Sequence, residues 1–180
     1  MILIGLTGYA GSGKDTVRAM LEREGFVGLA FADPIRAMIR ELLTSCGIDD
    51  AYLDERDLKE TIIPELGVSY RHMAQSLGTE WGRNLRGDFW LRLAGAFVAD
   101  QTDAGETHFV VSDVRFQNEF DWIKRQGGKI WRIHREGLAS VRSHVSESAM
   151  DNIKPNSTIH NNGTPEQLHE AVMAAVESLA

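Results

Sequence analysis

The stretch that most constrains this chain is Gly8-Tyr9-Ala10-Gly11-Ser12-Gly13-Lys14-Asp15-Thr16, which follows an apolar run at residues 1–7. That run carries β-branched residues and stops at Gly8, so it reads as a buried parallel strand. Residues 14–24 then bring Val17, Met20 and Leu21 round at helical spacing, with Gly25 as the stop. Strand, glycine-rich turn and helix, in that order, are the context a G-x-x-x-x-G-K loop requires. Glycines allow the backbone to curl so that successive N–H groups face inward at phosphate oxygens. The helix N-terminus adds its partial positive charge, and Lys14 supplies a mobile cation for the β- and γ-phosphates. Gly11, Ser12, Gly13, Lys14, Asp15 and Thr16 are therefore the candidate nucleotide ligands. The bland alternative, a strand-to-helix turn without a ligand, is disfavoured by motif, position and context together. Asp15 stands where Ser or Thr commonly follows the lysine, and Thr16 comes one place later. Thr16 could thus ligate magnesium directly, or the ion could be held largely through water and phosphate oxygens.

Beyond the loop, the pattern continues as alternating strands and helices. Strands are expected at 27–31, 108–112, 129–134 and 157–160, and helices at 34–43, 70–85, 88–102, 116–125 and 165–179. Asp33 before Pro34 and Thr164 before Pro165 are the expected caps. Residues 44–69 mix charges, Gly47, Pro64 and Gly67, and read as a loop with one short helix. The alternation predicts an α/β fold of three layers, a central mostly parallel sheet flanked by helices, in one domain over 1–180. Within it, about 44–90 forms a helical acceptor-binding region and about 135–156 a lid loop. With 180 residues, 43% hydrophobic and 25% charged, the chain can bury a substantial core. A net charge of -7 opposes broad binding to nucleic acid, although a local arginine cluster can still take an anion. The single cysteine, Cys46, rules out an internal disulfide and fits a cytoplasmic setting. No run approaches the about 18 apolar residues that would suggest a membrane span.

In an open parallel sheet, ligands gather at the carboxyl ends of the strands. Asp113 ends the apolar run Phe109-Val110-Val111-Ser112 and is a candidate metal ligand opposite the loop, with a cap for the following helix as the lesser alternative. Asp33, after the second strand, could orient or deprotonate an attacking oxygen, bind sugar, or serve only as a cap. Phosphoryl transfer needs charge stabilisation on the migrating group, and arginine binds phosphate through a planar fork that stays charged. Arg36, Arg71, Arg83, Arg115, Arg132, Arg135 and Arg142 are the candidates, each weighed against an ordinary solvated surface charge. Arg115 directly follows Asp113, and Arg135 and Arg142 flank a loop long enough to close over a nucleotide and exclude water.

The Gly13-Lys14-Asp15-Thr16 arrangement resembles nucleoside monophosphate kinases such as adenylate kinase. Further blocks resemble the deoxynucleoside monophosphate kinases of tailed bacteriophages. They are Phe31-Ala32-Asp33-Pro34, Tyr70-Arg71 with Gln75, Leu77-Gly78-Thr79-Glu80 with Arg83, and Asp88-Phe89-Trp90. Asp113-Val114-Arg115-Phe116-Gln117-Asn118-Glu119, Arg132-Ile133-His134-Arg135 and His144-Val145-Ser146-Glu147 complete the series. The Leu-Gly-Thr-Glu and Asp-Val-Arg-Phe-x-Asn-Glu blocks are the more specific. The resemblance implies an adenylate-kinase-like fold and transfer of the γ-phosphoryl of ATP to a dNMP with Mg²⁺. It also implies acceptor phosphate near Arg36 and Arg71, and base near Gln75 and Trp90; a helical Trp is otherwise a core residue. Asn161 and Gly163 resemble the loop that holds adenine, against a plain turn and helix cap. The partners expected are dNMP and ATP, without nucleic acid or membrane, in a host cytoplasm, with a homodimer left open. Two alternatives stand beside this reading: a kinase of the same fold acting on another acceptor, such as dephospho-coenzyme A, and a nucleotide-regulated switch.

Overall fold

The computed structural model describes residues 1–138 and 154–179. The chain divides into two compact units, one of residues 1–30 and 94–180 and one of residues 31–93.

In the first unit, five strands form one parallel sheet: β1 (Ile2–Thr7), β2 (Val27–Leu29), β5 (His108–Val111), β6 (Lys129–His134) and β7 (Ser157–His160). Their order across the sheet is β2-β5-β1-β6-β7. The register pairs Ile4 with Val110 on one side and with Lys129 on the other, so β1 is central and satisfied on both edges. Helices α1 (Lys14–Arg23) and α7 (Pro165–Glu177) pack on one face. Ile4, Leu6, Val110, Trp131 and Ile133 meet Val17, Leu21, Leu168 and Val172 there in one buried cluster. Alternation within β1 sends Gly5 to the opposite face, where α6 (Gln117–Arg125) brings Ile123 against it. The unit is a three-layer α/β sandwich, and its central strands are the near-continuous apolar runs that two covered faces require.

The second unit contains α2 (Asp33–Ser45), α3 (Ala51–Asp54), a 3₁₀ turn (Arg56–Leu58), and a hairpin of β3 (Ile62–Ile63) and β4 (Val68–Ser69). Then come α4 (Tyr70–Gln75) and a π-helical stretch, Ser76–Arg83. Helix α5 (Phe89–Asp103) begins in this unit and ends in the first. Residues 44–69 are thus more ordered than the single short helix expected. The reason is cross-element: the Arg40 guanidinium on α2 binds Asp50 at 2.7 Å and Asp54 at 2.9 Å, and buried Ile63 anchors the hairpin. The helix expected at 70–85 is present, but it widens from α to π at Ser76. Trp90 accounts for the room and the bonding there. Its indole Nε1 donates to the Gly78 carbonyl at 2.8 Å, and its ring covers the face of Gly82.

The expected cap at Asp33 and the alternative one at Asp113 are not formed. Asp33 is the first residue of α2, not its cap: Ala32 holds that place with no side-chain bond, and Arg36 N donates to the Ala32 carbonyl at 3.0 Å. Asp113 does not cap the helix after it, because α6 starts only at Gln117. The capping work falls to Glu119, whose carboxylate accepts from Arg115 N at 2.8 Å and Phe116 N at 3.0 Å. Thr164 does cap α7, its hydroxyl accepting from Gln167 N while Gln167 Oε1 accepts from Thr164 N.

Candidate active site

Strand β1 delivers the chain to Gly8 at the carboxyl edge of the sheet, and α1 begins six residues later at Lys14. The intervening turn is possible because Gly8, Gly11 and Gly13 take φ of 142°, 80° and 103°. Gly8 and Gly13 are held by crowding as well. A Cβ at Gly8 would strike the Ile133 carbonyl oxygen, and one at Gly13 the Asn161 side-chain nitrogen. The loop therefore closes against β6 and against the end of β7.

Lys14 folds back over this turn, its Nζ donating to the carbonyls of Gly8 at 2.6 Å and Tyr9 at 2.9 Å. Thr7 Oγ1 and Ser12 Oγ are buried without a hydrogen-bond partner, which is costly unless a ligand satisfies them. Both line a cavity of about 220 Å³ with Gly8, Arg132, His134 and Arg135. The cavity sits where the strand order reverses: from β1 the chain crosses to β2 and β5 on one side, then to β6 and β7 on the other. That is the place in an open parallel sheet where ligands bind. Curled glycines, an amide-rich helix start, orphaned hydroxyls, one lysine and two arginines form a donor set for a polyphosphate.

Asp113 follows β5 at the same edge, next to β1. The ladder continues past it, with Val114 N on the Leu6 carbonyl and Ser112 N on the Leu29 carbonyl, each at 3.0 Å. Asp113 is half-buried, Thr16 on the first turn of α1 is exposed, and Arg115 is half-buried. Among the described residues, no group of three or more His, Cys, Asp or Glu could alone hold a metal ion. Asp113 and Thr16 are the oxygen donors that could join phosphate oxygens and water around a magnesium ion. Arg135 is exposed at the rim of the cavity. Arg142 and the His144-Val145-Ser146-Glu147 block lie outside the described residues.

Asn161 shows a link that the sequence did not reveal. Its backbone N–H extends the sheet to the His134 carbonyl at 2.7 Å, and its side-chain amide donates to the Ser12 carbonyl at 2.8 Å. Gly163 is exposed in the turn before the Thr164 cap.

The candidate acceptor residues lie in the second unit. Asp33 and Arg36 form an exposed pair on α2, 3.7 Å apart. Arg71, at the start of α4, has its guanidinium on Glu60, and Gln75 ends that helix half-buried. Trp90 is a core residue, 4% exposed with its N–H bonded to Gly78, so its packing role is fully accounted for. Trp81, by contrast, is 44% exposed and stacks edge-on to Phe89 at 5.5 Å; it was not singled out from the sequence.

The model of the deoxynucleotide monophosphate kinase family matches residues 48–172. A protein of Acanthamoeba polyphaga mimivirus described as a deoxynucleotide monophosphate kinase is 33% identical, covering 99% of this chain and 97% of its own. The deoxynucleotide monophosphate kinase of Enterobacteria phage T4 is 25% identical over 62% of this chain and 46% of its own. Among solved structures, TT1252 from Thermus thermophilus is similar with a TM-score of 0.56 and 20% identity, covering 99% of this chain and 98% of that one. That last likeness is one of fold.

Proposed function

The chain belongs to the deoxynucleotide monophosphate kinase family, and from that premise we propose how its residues divide the reaction. It is a kinase that phosphorylates a deoxynucleoside monophosphate. The loop between β1 and α1 would hold the β- and γ-phosphates of ATP, with amides of Gly11, Ser12, Gly13, Lys14, Asp15 and Thr16 and the Lys14 ammonium as donors. The observation that carries this assignment is the glycine-curled loop with the buried, unsatisfied Ser12 and Thr7 hydroxyls beneath it. Binding would exchange the Lys14 contacts with the Gly8 and Tyr9 carbonyls for contacts with phosphate oxygens, a bond between two charged groups replacing bonds to neutral acceptors.

Magnesium, when bound, would neutralise charge between the phosphates, with Asp113 and Thr16 supplying protein oxygens directly or through water. Arg135 and Arg142 would close over the transferring group from a lid spanning about 135–156 and exclude water. Arg36 and Arg71 would anchor the acceptor phosphate, and Arg115 would serve as a further substrate-binding cation. Gln75 would bear on the base and Asp33 on the attacking oxygen, while Trp90 packs the core. Gly163 would border the adenine. The chemistry is in-line attack of an acceptor phosphate oxygen on the γ-phosphorus, with ADP leaving. The protein contributes position and charge.

We take the single-domain organisation, action in a host cytoplasm and independence from nucleic acid as part of the same reading. No helix among the described residues is long and apolar enough to cross a membrane. ADP production from Mg·ATP with each dNMP and NMP in turn, beside a Lys14→Ala control, tests the proposal. Turnover with dNMPs that vanishes in the control is expected. Near-normal turnover in the control would refute the role given to Lys14, and silence across the panel would reopen another acceptor or a nucleotide switch.

A further inference from the structure

We infer that Asn161 is a positioning residue for the phosphate loop: its side-chain amide holds the Ser12 carbonyl and so aims the Gly13 N–H at the nucleotide's phosphates. The inference rests on the loop being the phosphate site. It differs from a contact with adenine, the role that the position of Asn161 after β7 first suggests.

The argument begins with the peptide unit. No cis peptide bond occurs among the described residues, so the Ser12–Gly13 carbonyl and N–H point in opposite directions across a rigid plane. Whatever fixes the carbonyl outward fixes the N–H inward. Asn161 Nδ2 binds that carbonyl at 2.8 Å, from a residue whose own backbone is locked onto β6 through the His134 carbonyl. Gly13 has φ 103°, and a glycine without side-chain restraint is otherwise free to rotate. The same amide nitrogen occupies the space that a Gly13 Cβ would need, so the asparagine also walls in the turn on that side. The next residue repeats the device: Asn162 Oδ1 accepts from Glu136 N at 2.8 Å, just beyond the cavity residue Arg135. Consecutive asparagines thus tie the end of β7 to the phosphate loop and to the chain leaving β6.

Inorganic tripolyphosphate separates this role from adenine recognition, because it carries the phosphates without the base. Calorimetric titration of the wild type and of Asn161→Leu and Asn161→Ala with tripolyphosphate and with ATP is the test, with melting temperature as the fold control. The loss of one neutral hydrogen bond predicts that both ligands weaken alike, by about 5-fold. Weaker ATP binding with unchanged tripolyphosphate would overturn the inference in favour of an adenine contact. Unchanged binding of both would overturn it outright. If the wild type binds neither ligand, the phosphate-loop reading itself fails and this inference with it. Should the variants not fold, nitrogen-15 NMR of the wild type decides. Tripolyphosphate should shift the Gly13 amide proton downfield while the Asn161 side-chain amide stays protected from solvent, and exchange of that amide as fast as in a free asparagine would refute the link.

Discussion

Trp90 and Gly82 should behave as one packing unit, and their mutual cost can be worked from the structure. Trp90 is 4% exposed and its Nε1 donates to the Gly78 carbonyl at 2.8 Å. Trp90→Phe removes that donor and leaves a carbonyl inside the π-helical stretch without its partner, which costs about 1–3 kcal/mol. The smaller ring adds a cavity term of about 1 kcal/mol, for roughly 3 kcal/mol together. Gly82→Ala acts from the other side: its Cβ would lie 2.6 Å from Trp90 Cε2 and 2.8 Å from Nε1. Overpacking of that kind costs about 1–3 kcal/mol, offset by about 1 kcal/mol of helix propensity. The atom nearest to this added methyl group is Cζ2, in the benzo ring that phenylalanine lacks. The double variant should therefore cost no more than Trp90→Phe alone, giving a coupling of about 1–2 kcal/mol. Equilibrium urea unfolding of the four proteins, with slopes compared to check the transition, measures it. Additivity within about 0.5 kcal/mol would refute the reasoning, since it would mean that the indole is not what Gly82 accommodates.

Lys14→Ala should lower kcat/KM by about 100-fold or more while leaving the melting temperature nearly unchanged, as steady-state kinetics and calorimetry would show. Gly8→Ala and Gly25→Ala both place a side chain at positive φ, but only the first meets a backbone oxygen. Thermal melts should show Gly25→Ala costing about 1 kcal/mol and Gly8→Ala clearly more. Glu119→Ala should destabilise by about 2 kcal/mol in urea unfolding, because two backbone N–H groups lose their acceptor, with Glu119→Gln milder. The Asp88 carboxylate is held below its ordinary pKa of 3.8, chiefly by its bond from Arg86, with Arg92 adding to the effect and desolvation opposing it. A depressed carboxylate stabilises the fold above its unfolded pKa and loses that contribution as pH falls through the folded one. Asp88→Asn should therefore lower the melting temperature at pH 7 but not at a pH below the folded value, and a loss equal at both would contradict the pairing.

What could be read from the sequence was what short-range chemistry determines. The phosphate loop is a run of consecutive residues whose glycines, lysine and flanking periodicities all lie within one turn of each other. The strand at 129–134 was plain from its buried Ile130, Trp131 and Ile133, whereas the one at 157–160 buries Ile159 alone and gave a weaker signal. Residues 44–69 resisted for the opposite reason: Arg40 organises them through Asp50 and Asp54, and a surface ion pair across elements leaves no periodicity. Pattern alone also offered Asp113, as an alternative to metal binding, for the cap of the helix after it. Glu119 performs it from inside the helix, and the spacing of Glu119 from Phe116, three residues, was the available signal. The π-helical stretch could not be foreseen, since its cause is an indole N–H twelve residues away in the chain.

The same distinction explains where specificity of position comes from in this site. A glycine-rich loop is simple to write in sequence, yet its glycines are the residues least able to hold a conformation. The rigidity has to be imported from distant residues. Here it comes from Ile133, whose carbonyl walls in Gly8, and from Asn161, which stands 149 residues from the carbonyl it binds. Both belong to the β6–β7 side of the sheet, the side on which the cavity opens. The central parallel sheet is thus more than a platform for the loop. Its register brings His134 opposite His160, and that places Asn161 where a side chain of its length reaches Ser12. A shift of β7 by a single residue would turn Asn161 to the other face and leave the loop with its glycines and lysine intact but with nothing to hold the Ser12 carbonyl.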